Sequence, residues 1–284
     1  MLWKGRRQSS NVEDRRGISG RTMVAGGGLG TVVLVVLYLL LGGGKGDDLQ
    51  NILPTTGGSS TENRQLTAAE KEQGDFVSVI LAETEDVWHS LFSDAGKTYR
   101  EPKLVLFSGM TQSGCGSAQA AVGPFYCSGD ETVYIDLDFL SDLQNRLGAQ
   151  GDFAVAYIIA HEVGHHVQNL LGIMDQVQEQ RAAGLDERES NDLSVRMELQ
   201  ADFLAGVWAY HAQRTKNILE AGDVEEAVNA AGAVGDDRIQ SRTQGYVVPD
   251  SFSHGTSAQR TNWFLKGFKT GDPDQGDTFN APNL

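Results

Sequence analysis

Ile158-Ile159-Ala160-His161-Glu162-Val163-Gly164-His165-His166-Val167 carries the pattern H-E-x-x-H, inside a run that reads as helix from about Asp152 to Leu170. Gly172 follows as a stop. Residues four apart are neighbours on one face of an α-helix, so His161 and His165 can aim their imidazoles at one point. That geometry suits two ligands of a tetrahedral zinc ion, and Glu162 sits where its carboxylate can reach a water on the same metal. His166 is five residues from His161 and points off that face. A five-residue pattern also arises by chance. Here, however, it lies among Phe153, Val155, Tyr157, Ile158, Ile159, Val167 and Leu170, and burying two histidines and a glutamate there without a partner is costly.

A third ligand is available downstream. A second helical run, from about Glu189 to His211, holds Glu198 and Asp202 four apart on one face. Glu198 can complete a His-His-Glu set with the fourth position left to water, and Asp202 can accept the free ring N–H of a zinc histidine. The alternative is a solvated stripe of acids. Leu199, Phe203, Leu204, Val207 and Trp208 make the helix mostly apolar, so acids embedded in it want partners.

HEVGHH followed by ELQADFLAG resembles the neutral zinc metallopeptidase family of bacterial envelope proteins. That group is similar in plan to the minimal gluzincins, which join an H-E-x-x-H helix to a helix bearing E-x-x-x-D. The likeness extends over most of the chain after about Asp75. It takes in Gly123-Pro124-Phe125-Tyr126-Cys127, Val234-Gly235-Asp236-Asp237-Arg238 and Phe252-Ser253-His254-Gly255-Thr256-Ser257-Ala258-Gln259-Arg260. It implies an α+β fold, predominantly helical, in which a minimal gluzincin-like metallopeptidase domain with a small sheet follows one transmembrane helix. It also implies Zn2+ as cofactor and a peptide or protein as substrate.

The 284 residues allow one sizeable domain plus an appendage, and the net charge of −15 is unevenly spread. Residues 1–22 hold six basic against two acidic residues, so the remainder is strongly acidic, which argues against a nucleic-acid partner. Residues 23–44, Met23 to Gly44, contain no charge and are long enough to cross a hydrocarbon core of about 30 Å. With the basic cluster ahead of them, they are expected to be a single-pass anchor in the bacterial cytoplasmic membrane. Residues 1–22 would then lie inside and the rest outside. A cleaved signal peptide is the competing reading, and a buried core helix is a third. Residues 45–66 read as a Gly/Ser/Thr-rich linker and 67–284 as the zinc metallopeptidase domain.

Within that domain, Thr67-Ala68-Ala69-Glu70 has the form of a capping box opening a helix that ends near Gly96. Lys103–Phe107 is a short strand candidate, and Thr132–Asp138 alternates with period two. By analogy with gluzincins, the second strand is expected to be the sheet edge along which substrate lies extended. Cys115 and Cys127, the only cysteines, flank a Gly/Ser-rich loop and read as one disulfide outside the cytoplasm; two reduced thiols or a metal pair are the alternatives. The tail from Gly271 has little apolar content and is expected to be loose. The family likeness also points to His254, in a loop ahead of a helix bearing Arg260, as a donor to the developing oxyanion. The plainer reading is a loop-stabilising histidine, with Arg260 tying down Asp236 or Asp237.

The chemistry expected of this set is amide hydrolysis with Glu162 as the base. The rival is a non-catalytic, membrane-anchored zinc-binding scaffold or interaction protein. A fourth protein ligand would favour that rival, and an intact Glu162 weighs against it.

Overall fold

Thr67 and Glu70 do form a capping box: the Thr67 hydroxyl accepts from the Glu70 amide, and the Glu70 carboxylate accepts from the Thr67 N–H. The helix they open, α1 (Ala68–Asp94), buries Val77, Ile80, Leu81, Val87, Trp88 and Phe92 at helical spacing. The computed structural model describes residues 1–16, 65–119, 123–137, 139 and 150–284. Among them no helix is long and apolar enough to cross a membrane, and the expected span at 23–44 lies outside them.

The fold is α+β and mostly helical. A four-stranded sheet has the order β1-β2-β6-β5, from β1 (Val12–Asp14), β2 (Lys103–Phe107), β5 (Phe125–Cys127) and β6 (Thr132–Asp136). β1, β2 and β6 run parallel, while β5 is antiparallel to β6. Leu104, Leu106, Val133 and Ile135 enter the main core; Val105, Phe107 and Tyr134 close a smaller cluster with Cys127. β6 is therefore an interior strand, not the expected edge, because β2 and β5 occupy both of its hydrogen-bonding sides. Period two reports which faces are covered and is silent on strand order. The stretch read as a flexible loop is a hairpin, β3 (Met110–Ser113) with β4 (Gly116–Gln119). The Cys115–Cys127 disulfide ties its turn to β5.

Residues 1–22 are expected to stand apart from the domain, yet residues 1–16 pack on it. β1 pairs with β2, Met1, Ser9 and Arg16 are buried, and Ser9 exchanges hydrogen bonds with Ser78 of α1.

The remaining helices are α2 (Asp152–Leu170), α3 (Ile173–Ala182), α4 (Glu187–Lys216), α5 (Asp223–Ala233), α6 (Asp236–Gln244) and α7 (Ser257–Thr270). α4 starts earlier than its apolar pattern, because Asp186 and Glu189 form a second capping box. α2 packs on α4 and α5, and α4 makes its most extensive contact with α7. At that crossing a Cβ on Gly206 would meet the Phe264 carbonyl oxygen at 2.1 Å, so only glycine permits the approach. The tail is packed, contrary to expectation. Thr278 is fully buried with its hydroxyl on the Arg196 carbonyl (2.6 Å), and the Arg196 guanidinium donates back to Thr278 O (2.6 Å). Polar contacts hold it where apolar content is low.

Candidate metal centre

α2 is buried along almost its whole length, and Gly164, between the two histidines, lets α4 come close. A Cβ there would stand 3.0 Å from the Ala201 carbonyl oxygen. This contact brings Glu198 against the H-E-x-x-H face. His161 Nε2 lies 3.1 Å from Glu198 Oε2, and His165 Nε2 lies 3.4 Å from Oε1. Among the described residues, His161, His165 and Glu198 form a group able to hold a metal ion, and His254 does not belong to it.

The opposite ring nitrogens fix the tautomers. His161 Nδ1–H donates to Asp202 Oδ1 (2.8 Å), and His165 Nδ1–H donates to Gln168 Oε1 (2.8 Å). Both Nε2 lone pairs are thereby turned toward Glu198. Two imidazoles and a carboxylate are a donor set that fits zinc and leaves a fourth position open.

Asp202 is fully buried and its oxygens are well used. It accepts from the Tyr157 hydroxyl (2.5 Å) and from Arg260 Nε (2.8 Å) and Nη2 (3.0 Å). Arg260 therefore pairs with Asp202, whereas Asp236 and Asp237 serve the loop and the start of α7. Burial alone would hold the His161 pKa down, but the charge and hydrogen bond of Asp202 outweigh it and raise it to about 10. Those carboxylates favour any cation at that ring, proton or metal. Burial would also raise Glu198, but His165 and His161 hold it well below the usual carboxylate range. Burial raises Glu162, against the pull of His161 and His165.

His254 Nδ1 faces Asp236 Oδ1 at 3.2 Å. Its pKa is raised: Asp236, with the charge of Glu198, outweighs burial. His166 belongs to the scaffold, with Nδ1 on the Tyr126 hydroxyl (2.9 Å) and Nε2 on the Arg100 carbonyl (2.7 Å). Tyr157 and Gln168 were not expected as site residues. Both were marked by polarity inside an apolar helix, one turn before the first histidine and one turn after the second.

A second group of carboxylates, Asp152, Asp223 and Glu226, gathers at the start of α2. The Met1 ammonium donates to Asp152 (2.8 Å) and lies 3.5 Å from Asp223 Oδ1, and Glu226 accepts from the Phe153 amide (3.0 Å). Counter-charge and helix capping account for this group.

The chain is 52% identical to the uncharacterized protein YpfJ of Escherichia coli K12, over 98% of this chain and 99% of that one. It is 47% identical to the uncharacterized protein Rv2575 of Mycobacterium tuberculosis H37Rv, over 66% and 65%. No solved structure matches it. The profile of the family described as "Putative neutral zinc metallopeptidase" matches residues 1–279. The chain belongs to that zinc metallopeptidase family.

Proposed function

We propose that this protein is a gluzincin-type endopeptidase that hydrolyses peptide bonds outside the cytoplasm, in contact with a membrane. The observation that carries the reading is the pair of held tautomers, with both Nδ1 atoms bonded and both Nε2 atoms converging on Glu198. His161, His165 and Glu198 would hold the zinc. When bound, zinc polarises a water molecule and the scissile carbonyl.

Glu162 takes the proton of the attacking water and delivers it to the leaving amine. Its burial supports this role, since a raised carboxyl pKa makes a better proton acceptor and donor near neutrality. His254 donates from Nε2 to the developing oxyanion. Asp202, Tyr157 and Arg260 keep the His161 ring oriented. The substrate backbone lies along β5, the outer strand on that side of the sheet among the described residues. The Tyr126 hydroxyl, bonded to His166 and Asn169, fixes β5 to α2. The Cys115–Cys127 disulfide supports an oxidising compartment, and the uncharged stretch Met23–Gly44 supports lipid contact.

Glu162→Gln should retain one zinc per chain by elemental analysis while cleavage of a peptide library falls by at least ~10²-fold. Cleavage by that variant at the parent rate overturns Glu162 as the base. A parent protein that holds zinc and cuts nothing in the library would favour the zinc-binding scaffold instead.

A further inference from the structure

The basic cluster at the start of the chain has the form of a signal that keeps residues 1–22 on the cytoplasmic side. In the folded protein the five of those charges that fall among the described residues have partners in or beside the domain. Lys4 pairs with Glu72 (2.6 Å), Arg7 with Glu85 (2.9 Å) and Asp86 (2.6 Å), and the Arg6 guanidinium stands 3.6 Å from Glu83. Arg16 and Arg15 pair with Asp14 and Glu13 on β1 itself. Glu83 and Glu85 are only 2% and 1% exposed, and Ser9 and Asn11 add hydrogen bonds to Glu85. Of the two carboxylates buried on α1, Glu85 is thus neutralised from the N-terminal segment, while Glu83 is shared between Lys216 at 2.8 Å and the more distant Arg6. Leaving such charges unpaired is strongly disfavoured.

The backbone points the same way. β2 is a parallel strand buried from Leu104 to Phe107, and β1 supplies its partner on one side. Without β1 that row of N–H and C=O groups would be an open edge. Arg16 also sits against the start of α1. Arg16 Nη1 donates to the Glu70 carbonyl (2.8 Å) in the first turn of α1, and a Cβ on Gly74 would stand 2.6 Å from Arg16 Nη2.

We propose that residues 1–16 and the metallopeptidase domain lie on the same side of the membrane. The N-terminal cluster is counter-charge for α1. The inference does not depend on the catalytic reading.

The test uses the full-length chain in right-side-out and inverted bacterial membrane vesicles. Ser10→Cys and Ser93→Cys, both exposed positions, are labelled separately with a membrane-impermeant maleimide. The two should label alike in each vesicle type, within about twofold. Labelling in opposite vesicle types overturns the proposal. A zero-length carbodiimide cross-link provides a second reading on unmutated protein, with the internal pair Lys216–Asp86 as reference. A Lys4–Glu72 cross-link at similar yield supports the proposal; its absence beside a recovered Lys216–Asp86 link overturns it.

Discussion

Asp202 is fully buried between α2, α4 and α7 and holds three side chains, whereas Asp236 holds a half-exposed loop through its backbone. One Asp236 oxygen accepts from the N–H groups of Ser253, His254 and Gly255 at 2.8, 2.7 and 3.1 Å. The first arrangement fixes a ring between packed helices, where a sub-ångström error would mis-aim a metal ligand. The second fixes where a loop begins while leaving His254, 51% exposed on its side chain, free to adjust to what enters the site. One carboxylate joins three packed helices; the other anchors the start of a single loop.

The largest expected effect follows from that contrast. Asp202→Ala leaves the Arg260 guanidinium buried without its charge partner, which should cost about 3–5 kcal/mol of stability in denaturant unfolding. Zinc affinity should fall about 10–100-fold in competition with a chromophoric chelator. Asp202→Asn keeps the volume and one accepting oxygen but removes the charge, so it can keep only part of the Arg260 and His161 bonds and should fall between alanine and the parent in both measures. A parent-like metal affinity in both variants would break the comparison.

His254→Ala should come next. Loss of an oxyanion donor should lower kcat by about 10²-fold, with zinc content unchanged and unfolding within about 1 kcal/mol of the parent. A drop in zinc content would mean that the loop belongs with the metal ligands after all. Gln168→Ala should be smaller still on activity at saturating zinc. It frees the His165 ring and should weaken zinc binding about 10-fold, with kcat restored when zinc is raised.

Local repetition explains what could be read from the chain alone. His161, His165, Glu198 and Asp202 lie at i,i+4 spacing within single helices, and both helices carry enough apolar residues to be assigned. Glycine at position 164 gives no hint that it sets the approach of α4. Which acid Arg260 meets could not be read either, since Asp202, Asp236 and Asp237 are all plausible by charge and the choice is made by the α4–α7 crossing. The N-terminal strand escaped because three residues paired with a strand some ninety positions later leave no local pattern. Its basic residues, lying next to an apolar run, read as a membrane signal rather than as counter-charge.

The smallest effect is the most specific test of Asp236. Asparagine at that position keeps an oxygen for the three backbone N–H groups but removes the negative charge that faces the His254 ring. The ring pKa is raised in the parent because this charge and that of Glu198 outweigh burial, with Arg260 opposing them. In the proposed role protonated His254 is the donor, so activity should be full below the raised pKa and fall as pH climbs through it. Taking the charge away removes the main cause of the rise, so the ring pKa falls back and the alkaline limb of kcat should move to lower pH. At acidic pH Asp236→Asn should match the parent, and on the alkaline side of the ordinary histidine range it should be slower. A limb that stays in place would assign it to another group, and the oxyanion role of His254 would lose its pH support.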